Sequence, residues 1–252
     1  MGKIIAVANQ KGGVGKTTTC VNLCAALKEQ GKNVLLCDMD PQGNATSGMG
    51  INKNSDAPSM YSVLIEGTDA SEVIVKTKFS DILPSNKILS GAGVELVSMP
   101  GREYVLKNVL AEVRDKYDYI IIDCPPSLEM LTLNSLCAAD TILIPVQCEY
   151  YALEGLSDLI STIRTIKKAL NPELDIEGVL LTMYDSRTNF SAQVASEIKK
   201  FFKQKIYNVS IPRNVRISEA PSHGTPVMSY DRSSRGSLAY IDLAKEFLKR
   251  NA

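Results

Sequence analysis

The chain has no long hydrophobic run, no surplus of either charge, a single histidine and no C-x-x-C pair. Each shortage closes off a class of function. No apolar stretch approaches the roughly 20 residues that a membrane-crossing helix needs. Lys+Arg number 28 and Asp+Glu number 28, so no overall field attracts a polyanion or a polycation. The one histidine, in Pro221-Ser222-His223-Gly224, reads as a loop residue, and any hydrolytic chemistry must rest on other groups. The six cysteines, at 20, 24, 37, 124, 137 and 148, sit mostly inside apolar runs, where cysteine behaves as a small core residue. That usage points to a reducing, cytoplasmic setting. Cys20 and Cys24 share a helix face, but two thiols alone do not make a metal site. Met1-Gly2-Lys3 leads straight into a strand, which leaves no room for a signal peptide, and Ala6 stands where a myristoylation signal wants Ser or Thr. Repeats and low-complexity linkers are also missing.

What is present is an ordinary globular composition, 44% hydrophobic and 22% charged, over 252 residues. That length suits one large α/β domain spanning residues 1–252. Near-continuous apolar runs predict strands at Ile4–Ala8, Asn33–Asp38, Glu95–Ser98, Tyr119–Asp123, Thr141–Val146, Gly178–Met183 and Tyr207–Ile211. Helical patterns fall between them, at Lys16–Gln30, Arg102–Lys116, Ser127–Ala138, Leu153–Leu170, Ala192–Lys203 and Arg235–Arg250. This alternation predicts a doubly wound, mostly parallel sheet with helices on both faces. Asn52–Gly93 is the least legible region, because Ser, Asp, Gly and Pro interrupt two short helical stretches.

The chemistry concentrates where strands end. Ile4-Ile5-Ala6-Val7 runs into Lys11-Gly12-Gly13-Val14-Gly15-Lys16-Thr17-Thr18, after which a helix begins. Glycines let the backbone turn tightly and leave N–H groups free around a phosphate, and the helix start adds unpaired donors. Lys16 can reach β- and γ-phosphates and the Thr17 hydroxyl can bind Mg²⁺. The usual pattern wants glycine at position 10, where Gln10 stands; the variant carries a second lysine, Lys11. Lys11 lies too far forward to duplicate Lys16 and is better placed to reach a facing subunit's phosphates. The plain alternative is a glycine-rich turn with no ligand.

The expected strand Asn33–Asp38 runs out through two carboxylates spaced by one residue, Asp38 and Asp40, both on one side of the strand end. Asp38 would assist Mg²⁺ directly or through water, and Asp40 would orient and deprotonate an attacking water; the bland alternative is a pair of turn caps. Tyr119–Asp123 is a fully apolar strand ending in one carboxylate, the Walker B arrangement, in which Asp123 binds Mg²⁺ through its hydration shell. Pro125-Pro126 then opens a loop able to respond to the γ-phosphate. Charge is uneven: residues 187–252 hold 12 Lys+Arg against 5 Asp+Glu, and the remainder holds 16 against 23. A basic C-terminal quarter fits an anionic partner, although Lys199, Lys200, Lys203 and Lys205 read equally as a solvated helix face. Tyr150-Tyr151 reads as core or interface packing.

Taken together, ANQKGGVGKTTT, LLCDMDPQGNATSG, YDYIIIDCPPS, IPVQCEYYALEGL and IPRNVRISEAPSHG resemble the ParA-type partition ATPases of the chromosomal, Soj-like kind, which carry a deviant Walker A loop. The resemblance covers essentially the whole chain and is weakest over Asn52–Gly93. It implies ATP and Mg²⁺ as cofactors and an ATP-bound sandwich homodimer that binds double-stranded DNA non-specifically on the nucleoid. It also implies slow hydrolysis stimulated by a ParB-type centromere-binding partner. Carried onto this sequence, Lys11 contacts the other subunit's nucleotide and Gly12 lies where subunits approach. Arg187 and Arg216 contact DNA, and Met183 and Pro212 lie near the adenine. The competing readings are a MinD-like membrane ATPase, an iron–sulfur scaffold of the same superfamily and a positioning ATPase for another cargo. The first needs an amphipathic anchor beyond Leu238–Leu248, and the second needs paired cysteines; neither is evident.

Overall fold

Strand β1 (Lys3–Val7) has its first residue half-buried and the other four buried, and its side chains alternate between two separate cores. Ile4 and Ala6 face one, Ile5 and Val7 the other. A strand buried on both sides has to be apolar throughout, which is why these runs do not alternate in polarity. The computed structural model describes residues 1–149 and 152–252, so the packing expected of Tyr150 and Tyr151 lies outside the described residues.

After β1 come α1 (Lys16–Glu29), β2 (Val34–Asp38) and the short α2 (Asn44–Gly48). A π-helical turn at Ser62–Glu66 precedes α3 (Ala70–Val73), β3 (Val75–Lys76) and β4 (Asp81–Leu83). Then follow α4 (Leu89–Glu95), α5 (Val105–Val113), β5 (Tyr119–Asp123), α6 (Met130–Ala138) and β6 (Thr141–Gln147). The chain ends with α7 (Ala152–Ala169), β7 (Asp175–Thr182), α8 (Asn189–Phe202), α9 (Val215–Glu219), α10 (Val227–Tyr230) and α11 (Arg235–Arg250).

The sheet order is β3-β4-β2-β5-β1-β6-β7. Neighbours run parallel except β3 against β4. Helices α1 and α11 cover one face, where Phe247 packs edge-on to Tyr119 at 5.1 Å between ring centroids. Helices α5, α6, α7 and α8 contribute to the core of the other face. Burying a side chain such as Phe247 stabilises by roughly 1.5–3 kcal/mol. The register sets the strand ends level: Val7 pairs with Asp123, and Asp123 with Asp38. In a parallel sheet the carboxyl ends then share one edge, the usual place for a ligand crevice.

Two expected strands are absent from the sheet. Glu95–Ser98 is instead the end of α4 and a 3₁₀ turn over Leu96–Ser98. Leu89, Ala92 and Leu96 are buried while Val94 and Val97 are exposed, a spacing of three and four that belongs to a helix. Tyr207–Ile211 lies beside β7 and bonds it at its two ends, the Tyr207 amide to the Val179 carbonyl at 2.9 Å and the Ile211 amide to the Leu181 carbonyl at 2.8 Å, with isolated bridges at the flanking Ile206 and Pro212. The amides of Asn208 and Val209 donate to the Glu246 carboxylate at 2.9 and 3.0 Å, so no continuous ladder forms. In Asn52–Gly93 the reverse holds: β3 and β4 were not expected, being only two and three residues long.

Candidate functional site

Where β1 ends, the chain is drawn toward β6. Asn9 Nδ2 donates to the Pro145 carbonyl at 2.8 Å, and Asn9 Oδ1 accepts from the Lys11 amide at 3.0 Å. The loop then turns through Gly13 and Gly15, at φ +74° and +87°, a region that favours glycine. From the far side, Thr182 Oγ1 at the end of β7 donates to the Val14 carbonyl at 2.8 Å. The loop is thus held between two strands before α1 begins.

Beyond it opens a cavity of about 590 Å³. Its floor includes Gly12, Gly13, Gly15, Lys16, Thr17 and Thr18; Asp40, Gln42 and Asn44 form a second side. Thr182, Met183, Pro212, Arg213 and Asn214 form a third. Met183 and Pro212, on segments far apart in sequence, therefore both line the cavity that the glycine loop borders. Met183 has φ +48°, unusual for a residue with a side chain, and the next amide, Tyr184, donates to the Ile211 carbonyl at 2.9 Å.

Lys16 is buried, and its Nζ donates to the Lys11 carbonyl at 3.2 Å. Burial lowers its pKa, while the nearby Asp123, Cys124 and Asp40 pull it back up. Asp123 is fully buried, and its Oδ2 has no hydrogen-bond partner. Its Oδ1 accepts from the Cys20 thiol at 3.5 Å. Burial and the neighbouring Asp38 push its pKa well up, with the Thr17 and Cys20 side chains acting in the opposite sense. An unpartnered buried carboxylate oxygen beside a threonine hydroxyl fits a hydrated Mg²⁺ ion.

Asp38 and Asp40 part company. Asp40 lines the cavity, and its Oδ1 accepts from the Gln42 amide at 2.9 Å. Asp38 points into the fold: its Oδ2 accepts from the Thr46 amide at 2.8 Å and the Thr46 hydroxyl at 2.7 Å, and its Oδ1 accepts from the Asp40 amide. Burial pushes its pKa up to about 6 despite those bonds. Both Asp38 oxygens are thus hydrogen-bonded and the residue does not line the cavity, an arrangement closer to the through-water form of the expectation than to direct contact with an ion. Thr46 was missed because nothing in NATSG distinguishes a buried hydroxyl from an exposed one. Ser85 was missed too, although its amide donates to Thr46 Oγ1 and its hydroxyl to the Asp40 carbonyl, both at 2.8 Å.

Lys11 does not line the cavity; it is exposed and ion-paired with Glu149. Arg187 is 87% exposed and forms a two-pronged pair with Asp185. Arg216, on α9, pairs with Glu219 and Asp231. Neither touches the other, and both are already locally neutralised. His223 stacks on Tyr230 and does not line the cavity. All six cysteines are free and buried, and no group of three or more His, Cys, Asp or Glu could hold a metal ion among the described residues. Also among the described residues, no helix is long and apolar enough to cross a membrane.

A level row of strand ends, a glycine loop opening a helix and a buried lysine beside an aspartate define a phosphate-loop nucleotide-binding protein of the deviant Walker A type. A family model described as an AAA domain matches residues 2–176. The sporulation initiation inhibitor protein Soj of Bacillus subtilis is 58% identical over 98% of this chain and 98% of its own length. The chromosome partitioning protein ParA of Myxococcus xanthus is 50% identical over 100% of this chain and 89% of its own. A solved structure of cobyrinic acid a,c-diamide synthase from Mycobacterium smegmatis, with bound ADP and magnesium, is 39% identical at a TM-score of 0.87, covering 99% of this chain and 95% of that one. The chain belongs to the ParA/Soj family of chromosome-partitioning ATPases.

Proposed function

We propose that this chain binds ATP and Mg²⁺, pairs face to face with a second copy while both hold ATP, and grips double-stranded DNA without regard to sequence in that paired state. A ParB-type partner then speeds hydrolysis and releases the pair. The cytoplasm, on the nucleoid, is where such a cycle would run. The carrying observation is the cavity that gathers Lys16, Thr17 and Asp40 beside the unpartnered oxygen of Asp123. The ADP and magnesium bound in the cobyrinic acid a,c-diamide synthase structure support the same ligands here.

In this reading Lys16 exchanges its bond to the Lys11 carbonyl for β- and γ-phosphate oxygens. Free N–H groups of the glycine loop and of the first turn of α1 hold the remaining phosphate charge. Thr17 and Asp123 hold Mg²⁺, with Asp38 behind them; the ion, when bound, neutralises phosphate charge. Asp40 orients the attacking water and accepts its proton. The one cation of the loop that lies outside the cavity is Lys11, so a single chain has an incomplete site. A second copy facing it would supply the partner's lysine, which ties hydrolysis to pairing. Met183 and Pro212 flank the base.

DNA contact rests on the basic C-terminal quarter. Arg187 and Arg216 would exchange carboxylate partners for phosphates, and Lys199 and Lys203, which form no ion pair among the described residues, would extend the surface. Two copies double the number of contacts, so pairing raises affinity through avidity. Sedimentation of the purified protein with ATP, ADP or neither, with and without non-specific DNA at two salt concentrations, tests the scheme. The expected result is a dimer only with ATP·Mg²⁺, and DNA binding by that dimer alone, weakening steeply with salt. Arg187→Glu and Arg216→Glu should lose DNA and keep the dimer. A protein that stays single in ATP with Asp40→Ala would overturn the scheme.

A further inference from the structure

Three contacts hold residue 11 in the single chain. Its amide donates to Asn9 Oδ1 at 3.0 Å, its carbonyl accepts from Lys16 Nζ at 3.2 Å, and its ammonium pairs with the Glu149 carboxylate. The third contact crosses 138 positions of sequence. Glu149 lies two residues beyond the end of β6, and its carbonyl accepts from the amide of Ala152, the first residue of α7, at 3.0 Å. Asn9 is tied to the same strand through the Pro145 carbonyl. The front of the phosphate loop is therefore fastened to the β6–α7 corner at both its backbone and its charged tip.

We infer that Glu149 is a positioning residue for Lys11, an anchor within the chain that holds this lysine away from a facing subunit until nucleotide arrives. The inference rests on the reading of Lys11 as the residue that reaches across. Two observations give it direction. An ammonium drawn toward a phosphate on another subunit gives up part of its attraction to the Glu149 carboxylate, so pairing weakens the contact in both copies. The neighbouring tie is also one that nucleotide competes for, because phosphate oxygens draw Lys16 Nζ away from the Lys11 carbonyl, its acceptor at 3.2 Å in the single chain. Nucleotide thus loosens the backbone of residue 11 at the moment its side chain is needed elsewhere.

The magnitude is modest per chain and counts twice. Lys11 and Glu149 are 41% and 44% exposed, so the pair belongs with the weak, solvent-screened kind. Losing two such pairs per dimer makes the dimer about twofold to thirtyfold weaker than it would be without the anchor. Repulsion does not explain the contact, and no second acidic side chain pairs with Lys11 among the described residues.

The test is the dimer dissociation constant in saturating ATP·Mg²⁺, measured by sedimentation on chains carrying Asp40→Ala to stop turnover. Glu149→Gln keeps the shape and removes the charge; Glu149→Asp keeps the charge. The expected result is a dimer tightened about twofold to thirtyfold by Glu149→Gln, with Glu149→Asp close to the parent and ATP affinity of the single chain unchanged in both. Adding Lys11→Ala to Glu149→Gln should abolish the gain. An unchanged or weakened dimer in Glu149→Gln would overturn the anchor, as would the same gain in the absence of Lys11. If the parent itself never pairs, the failure lies with the dimer reading and not with Glu149.

Discussion

A single atom distinguishes the two acids that end neighbouring strands behind the cavity. Asp123 keeps one oxygen without a partner, whereas Asp38, one strand away and at the same register, has both oxygens bonded. That difference could not be read from the sequence, where both are acids ending apolar strands. Lys16, Thr17 and Asp40 were legible because spacing alone puts them at the loop, the helix start and the strand end. Gly12 is a sharper case. A Cβ built there meets nothing within 4 Å in this chain, and its φ is not in the left-handed region. Gly12→Val is therefore expected to fold with an unchanged melting temperature and to bind ATP within a few-fold, yet to stay single in sedimentation with ATP·Mg²⁺. Loss of folding in that variant would place its role inside the chain.

At the scale of elements, legibility followed length. The long helices and the five buried parallel strands carry many apolar side chains in a clear period, and their positions were readable to within a few residues. Two- and three-residue strands carry no period, so β3 and β4 escaped notice. Tyr207–Ile211 misled because its apolar pattern is that of a strand, while two of its amides, those of Asn208 and Val209, turn to Glu246 on α11. The illegible stretch turns out to buttress the site: Ser85, just after β4, joins Thr46 on α2 to the Asp40 carbonyl. Thr46→Val removes a donor from a buried carboxylate and an acceptor from the Ser85 amide. It should cost about 1–3 kcal/mol in denaturant unfolding and move the Asp38 pKa higher still, with Thr46→Ser restoring most of the loss.

The whole molecule is closed at the edge opposite the cavity. Glu177, buried on β7, accepts from Lys3 Nζ at 2.5 Å, Asn251 Nδ2 at 2.8 Å and Thr141 Oγ1 at 2.8 Å. The first strand, two later strands and the C-terminal end of the chain thus meet at one carboxylate. Burial would raise its pKa, but the bonds from Lys3 and Asn251 outweigh it and hold the group below its usual range. A depressed pKa means stabilisation that is present above the unfolded value and lost as pH falls through the folded one. The protein should therefore weaken below about pH 4.5, and Glu177→Gln should lower stability by about 1–3 kcal/mol at pH 7 with a shallower acid slope, read by denaturant titration at pH 7 and pH 4. Equal slopes in both proteins would assign the acid transition to other groups.

The six buried thiols described above have a practical side. An alkylating reagent too bulky to enter the interior reaches sulfur only when the fold opens, so the rate of modification is a built-in gauge of breathing. Cys20 donates to the Asp123 carboxylate and Cys124 follows it in the chain, whereas Cys137 sits on α6. Comparing their labelling rates would tell local loosening around the cavity from wholesale opening, without a single engineered probe.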